Sequence, residues 1–316
     1  MKPIKTWVLA ILTFLTWQHA SAQEQLSQAG YYRANFGSFQ IVALSDGTVP
    51  VEAKTILLPK DPGVLAQQLK KAGLASTVEI SINAYLIKSG SRLILVDAGS
   101  GDLFKPFGGR LVTSIMTAGY RPEDISDILI THVHVDHSGG LSQDGKLVFP
   151  NATIHLSQKE LDFWKVHETL QTGEAKGITL NRPAYLNLKP YLTANRIKAF
   201  SSASEIIPGI AAIEKPGHTP GHTVYAIGSG KQKMIFFGDL VHIEQVQFYD
   251  SSIPDEYDFD KQKGATQRNA TYAEFARKGY IIAAAHVSFP GIGRIIAEGN
   301  HYKWLPVPYS VLGKIE

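Results

Sequence analysis

No cysteine occurs anywhere in the 316 residues. Disulfides are therefore excluded, and any metal ion must be held by nitrogen and oxygen donors alone. No run of lysine and arginine is dense enough to track a phosphate backbone, and the formal charge is only +3, so nucleic acid is not an expected partner. The apolar run near the N-terminus, Trp7 to Trp17, is short for a bilayer. It follows Lys2 and Lys5 and precedes Ala20-Ser21-Ala22, a small-x-small cleavage site. The chain thus reads as an exported protein, cut after Ala22, with residues 1–22 a signal peptide and no membrane anchor left. A bacterial periplasm is the simplest destination. Residues 23–316 fit one large α/β domain, with no repeat, low-complexity block or linker.

What the chain does have is histidine in one place. Ile128-Leu129-Ile130 reads as a buried strand that breaks into Thr131-His132-Val133-His134-Val135-Asp136-His137, followed by Gly139-Gly140. Imidazole nitrogen and carboxylate oxygen are donors for zinc, iron or manganese. Alternate side chains of an extended segment share a face, so His132 and His134 can grip one ion. Asp136 and His137 follow where the chain turns and can grip a second, and the glycines let the backbone turn away.

Other segments read as follows. Phe39 to Leu44 is a strand closed by a turn at Ser45-Asp46-Gly47-Thr48. Asp61-Pro62 opens a short helix that stops at Gly73. Ala84–Ile87 and Leu93–Val96 form a hairpin. Arg110 to Gly119 is helical with Leu111, Ile115 and Met116 on one side. Ser157-Gln158-Lys159-Glu160 is a capping box for a helix through Trp164. Residues 172–190 lack periodicity and read as a loop, either a lid or plain surface. Thr223–Ile227 and Met234–Phe237 are strands, Ala270–Lys278 is helical, and Tyr280–Ala285 is a last apolar run.

Four of the apolar runs end alike. Val96, Ile130, Phe237 and Ala285 are followed within two residues by Asp97, His132, Asp239 and His286, and α/β sheets bind ligands where strands release their C-terminal ends. With His218 from Gly217-His218-Thr219-Pro220-Gly221-His222, seven donors result. One arrangement uses them all: His132, His134 and His218 on one divalent ion, Asp136, His137 and His286 on a second, and Asp239 bridging. Two such ions can share a hydroxide near neutral pH. His222 and Asp97 are read as residues that hold ligands in place, and His155, His167 and His301 as ordinary. Zinc is the leading metal; manganese, cobalt and iron suit the same donors.

These motifs, covering nearly all of residues 23–316, resemble the metallo-β-lactamase superfamily. The resemblance implies a four-layer αβ/βα sandwich with metals at one edge. A closer resemblance, to the methyl parathion hydrolase family and its lactonase-like relatives, rests on Gly30-Tyr31-Tyr32-Arg33, Ala43 to Thr48, Ala283 to Gly293 and Val307-Pro308-Tyr309-Ser310. It implies a homodimer and an aromatic leaving-group pocket, matched by Phe104 and Trp164. His242 departs from that pattern: the hydrolase has an aliphatic residue there, and acyl-homoserine lactonases have a tyrosine that hydrogen-bonds the substrate carbonyl. His242 is therefore expected at the substrate, donating a proton or hydrogen bond, with Asp136 as the other proton carrier. The expected function is hydrolysis of lactones or activated esters, with organophosphate triesters secondary. The alternatives are a phosphotriesterase, a β-lactamase, a thioesterase, and a metal-binding protein without activity.

Overall fold

A computed structural model describes residues 28–169, 176–202, 204–229 and 231–315. The export segment, its cleavage site and residues 170–175 lie outside these. Among the described residues, sixteen strands form two seven-stranded sheets and a small ribbon. The first sheet runs in the order β1 (Tyr31–Phe36), β2 (Phe39–Glu52), β3 (Thr77–Ser89), β4 (Arg92–Val96), β5 (Asp127–Leu129), β8 (Thr153–Ser157) and β9 (Ile197–Phe200), with β6 (Ser142–Gln143) and β7 (Lys146–Leu147) forming the ribbon. The second runs in chain order through β10 (Ser204–Ile207), β11 (Ile210–Glu214), β12 (Thr223–Ser229), β13 (Gln232–Phe236), β14 (Ile281–Ala283), β15 (Ile292–Glu298) and β16 (His301–Pro306).

Alternation along the strands makes the layers. Ile41, Ala43, Tyr85, Ile87, Ile94 and Val96 face Tyr225, Ile227, Met234, Phe236 and Ile281 between the sheets. The intervening Val42, Leu44, Leu86, Leu95 and Ile128 face outward onto Leu111, Ile115, Trp164 and Tyr185 of the helical layer. On the other side, Val224, Ile235 and Ile282 receive Tyr272 and Phe275 from the helix Lys261–Lys278. This is the expected αβ/βα sandwich.

Most pairings are antiparallel, but β4, β5, β8 and β9 run parallel, each to the next, and β13 lies parallel to β14. The β4–β5 and β13–β14 pairs carry the site. Their C-terminal ends meet at one edge and release Asp97, the His132 loop, Asp239 and His286. Beyond that edge, β2 and β3 continue as a paired ribbon through Val49↔Ile80 and Val51↔Val78. The ribbon is covered by the short helices Ala53–Ile56 and Pro62–Lys71.

Several expectations are corrected. Ser45–Thr48 is no turn: β2 runs through it, and the register shifts between Ser45 and Gly47. The bulge buries Asp46, which accepts hydrogen bonds from Ser100 N, Ser100 Oγ, Gly109 N and Leu111 N and so ties down the loop carrying Phe104. Met116 is exposed, unlike Leu111 and Ile115. Residues 172–190, expected to be a loop, contribute most of a helix, Lys176–Thr193, despite Pro183 and Pro190. Interior prolines cost a helix about 3 kcal/mol or more each. Burial of Ala184, Tyr185, Leu188 and Tyr191 against the first sheet offsets this. The last long helix starts at Lys261, well before the expected Ala270. Asp260 caps it by accepting from Lys263 N at 2.9 Å, and the first turns lack an apolar stripe because they bury Gly264 and Arg268 instead.

Candidate metal centre

Gly139 and Gly140 serve close packing rather than a turn. A Cβ on Gly139 would lie 2.6 Å from Ser100 O, and one on Gly140 2.1 Å from Ala98 O. Their absence of side chains lets the loop after β5 lie against the loop after β4. His134 then starts a short helix, Val135–Ser138. Its Val135 N donates to Asn181 Oδ1 at 2.9 Å, so the proline-containing helix braces the histidine loop from outside.

The seven expected donors converge. His132, His134, His218 and Asp239 form one group and Asp136, His137 and His286 another, each with donor atoms within 4.8 Å of one another. Asp239 stands between them. Its Oδ2 lies 3.4 Å from His132 Nε2 and 3.3 Å from His218 Nε2, and His218 Nε2 lies 3.1 Å from His134 Nδ1. Its Oδ1 lies 3.0 Å from His137 Nε2 and 3.2 Å from His286 Nε2, and His286 Nε2 lies 3.4 Å from Asp136 Oδ2. Buried polar atoms are normally paired. Here His132 Nε2, His137 Nε2 and Asp239 Oδ1 are buried with no hydrogen-bond partner among the described residues. Atoms so placed fit a cation, and the nitrogen–oxygen donor set is one that divalent metals take.

The far side is held in the rings of His132, His137, His218 and His286. His137 Nδ1 meets Asp97 Oδ2 at 2.8 Å, and Asp97 Oδ1 accepts from Thr131 N at 2.8 Å. Asp97 does this from a left-handed backbone, φ 59°, which aspartate tolerates better than most residues. His286 Nδ1 meets Ser81 O at 2.8 Å, and His132 Nδ1 meets Thr131 Oγ1 at 3.0 Å. His218 Nδ1 meets Asp258 Oδ1 at 3.0 Å, and the buried Arg268 guanidinium meets Asp258 Oδ2 at 3.0 Å. His222 lies behind Asp239. Its Nε2 accepts from Asp239 N at 3.0 Å, and its Nδ1 faces Lys215 O at 3.2 Å. Such outer partners fix the tautomer and orientation of a metal-binding imidazole.

The electrostatics divide the donors: against burial, Asp239 and the other nearby carboxylates hold His137 and His218 above the usual imidazole range. Burial and neighbouring histidines push His132 and His134 well below the usual imidazole range, leaving lone pairs free. Burial alone would raise the Asp239 carboxyl, but His137, His286 and His132 around it hold it well below the carboxylate range. Burial and His218 push His222 down to about 3. His155, His167 and His301 stay apart from the site, facing Asp127, Phe163 O and Tyr249 O respectively.

The centre opens on a cavity of about 470 Å³. Asp136, Asp239, His242 and His286 form one end; Val49, Val51, Ile56, Ile80 and Ile82 form an aliphatic wall; Leu103, Phe104, Leu180 and Pro183 close it. No arginine or lysine is among the described lining residues. Phe104 is where the sequence places it. Trp164 is not: it is buried behind His134, ring centroids 6.3 Å apart, with its Nε1 donating to Glu160 at 2.9 Å. His242 does face the cavity, Nε2 3.1 Å from Asp239 Oδ2 and Nδ1 2.8 Å from Asp255 Oδ2.

Sequence reasoning missed three acidic residues. Glu160 is no partner in a capping box. Ser157 caps alone, accepting from Lys159 N, while the Glu160 carboxylate accepts from Val133 N, Trp164 Nε1, Thr219 Oγ1 and Gly221 N. It ties the His132 loop to the His218 loop. Asp255 and Asp258 sit in an irregular loop with nothing periodic to mark them.

The family model of the metallo-β-lactamase superfamily matches residues 78–278, well over half of the chain. An N-acyl homoserine lactonase of Bacillus cereus is 29% identical over 127 residues, 40% of this chain and 42% of the relative. The chain therefore spans less than half of that relative's length in the match. Among solved structures, hydrolase AbOPH of the beta lactamase superfamily is similar at 35% identity and a TM-score of 0.83, covering 90% of this chain and 99% of that one. AidC, a dizinc quorum-quenching lactonase solved with the product N-hexnoyl-L-homoserine, is similar at 26% identity and a TM-score of 0.82, covering 89% and 98%. With the sandwich, the histidine loop and the strand-end donors all in place, the chain belongs to the metallo-β-lactamase superfamily.

Proposed function

We propose that the protein is a dinuclear zinc hydrolase of neutral lactones and esters bearing apolar acyl groups. One observation carries this reading. Asp239 presents each of its oxygens to a separate set of donors, at the polar end of an aliphatic cavity with no lysine or arginine among its described lining residues. In this reading His132, His134 and His218 hold one ion, Asp136, His137 and His286 the other, and Asp239 both. Two divalent ions there supply Lewis acidity and a hydroxide nucleophile at neutral pH.

The chain's own residues do the rest. The wall of Val49, Val51, Ile80 and Ile82 takes the acyl chain, because apolar surface leaves water favourably. Asp255 holds His242 Nδ1 and favours the protonated ring, which leaves an Nε2–H for the departing alkoxide. Asp136, at the cavity surface, carries the proton onward. β-Lactams of the penicillin type and glutathione thioesters bring carboxylates for which the aliphatic wall offers no lysine or arginine among its described residues, which disfavours both. Phosphotriesters are neutral and enter as secondary substrates. The similarity to AidC, a lactonase, supports the same choice.

The test compares kcat/KM of zinc-loaded protein for an acyl lactone, a nitrophenyl phosphotriester and a penicillin. The lactone should lead; a penicillin or phosphotriester turned over faster would overturn the reading. His242→Leu sharpens it. General acid help is worth about 10²–10⁴-fold and matters for poor alkoxide leaving groups, not for nitrophenolate. The substitution should depress lactone turnover and spare the aryl triester; equal losses would make His242 structural.

A further inference from the structure

A substrate pressed against an aliphatic wall needs something to hold its oxygens at the polar end. Among the described lining residues Tyr257 alone carries a hydroxyl. It is half-buried, beside His242, with ring centroids 6.1 Å apart. Its backbone is fixed, since Tyr257 N donates to Asp255 Oδ1 at 2.9 Å. Asp255 and Asp258 on either side hold His242 and His218, so one loop sets the phenol in register with the centre. Among the described residues no hydrogen bond reaches the hydroxyl, whereas the backbone N–H of the same residue is engaged.

Resting on the reading above, we infer that Tyr257 is a substrate-binding residue whose hydroxyl donates a hydrogen bond to an oxygen of the neutral ester or lactone. This donor fixes which face of the carbonyl turns toward the metal-binding residues while the acyl chain lies on the wall. Burial, with Asp255 and Asp136 nearby, pushes the phenol above its ordinary range, so it stays a donor throughout the neutral region. The residue comes from the loop before the last long helix. It is separate in the chain from the position after Asp239, where His242 stands.

Tyr257→Phe removes the hydroxyl and keeps the ring. The variant should bind a non-hydrolysable lactam analogue of the lactone about three- to tenfold more weakly by calorimetry, the range of one neutral hydrogen bond. Its lactone kcat/KM should fall at least as far, while metal content and melting temperature stay as in the wild type. Tyr257→Leu should lose more, chiefly in KM, because it also opens the wall. Unchanged lactam affinity in Tyr257→Phe overturns the inference, as does a loss of affinity that tracks a loss of metal. Wild-type protein that hydrolyses no lactone or ester defeats the functional reading; wild-type that does, matched by Tyr257→Phe, defeats this assignment alone.

Discussion

The two halves of the sandwich supply the centre in different ways. The first half gives four donors within six residues, His132 to His137, on a single loop after β5. The second gives His218, Asp239 and His286 singly, from three strand ends far apart in the chain. The first set is held mainly by residues of its own half, Thr131 and Asp97. In the second, His218 depends on Asp258 and through it on Arg268 in a distant helix. Both carboxylates stand 40 residues from the histidine they hold, but Asp258 is itself paired with a buried arginine. Asp239 and Glu160 are two of the places where the halves are joined, and Ser81 O, which meets His286, is another.

Asp239→Ala breaks the joint at the metals and should have the largest effect. Wild-type protein purified without chelator should carry about two metals per chain, and the variant about one, with turnover down by orders of magnitude. Elemental analysis and kcat decide it; near-normal turnover would refute the bridging role.

The dependence on Asp97 and Asp258 is tested by a pair. Asp97→Ala and Asp258→Ala should each weaken metal binding by about 10–100-fold. Asp258→Ala should also destabilise the fold by about 3–5 kcal/mol, because it strands the buried Arg268 charge. Urea unfolding of both, with and without chelator, measures the difference. Equal unfolding losses would mean that the two halves are held alike.

Glu160→Gln should have the smallest effect. It swaps one accepting oxygen for an amide that faces donors, at about 1–3 kcal/mol. Its melting temperature should fall, and metal should exchange faster from the His218 side. A lower melting temperature with unchanged metal exchange would show that the loops keep their places without this link.

The same contrast governs how much could be read from the sequence. Strand ends followed by histidine or aspartate are visible as apolar runs with a polar stop, and they mark His132, Asp239 and His286. The other four donors are legible in the histidine loop and the Gly217-His218 segment, and the sandwich follows from the resemblance that these motifs carry. Asp255, Asp258 and Tyr257 lie in a loop whose meaning comes only from what it packs against. Glu160 carried a misleading local signal, because Ser-x-x-Glu before a helix is also how a cap is written. The helix Lys176–Thr193 was hidden by its prolines, since tertiary burial outweighs local propensity there. Trp164 was placed at the substrate because a core indole and a pocket indole look the same in a sequence.

The aliphatic wall bears on what happens after the bond breaks. On the proposed function, a neutral molecule enters and a carboxylate is made inside. The new anion lies at the polar end, beside the metal-binding residues and His242, while its acyl chain still rests on Val49, Ile80 and Ile82. The wall that draws the substrate in therefore also retains the product. Turnover on long acyl chains should then slow as the free acid accumulates, with departure of the product rather than bond breaking setting the pace.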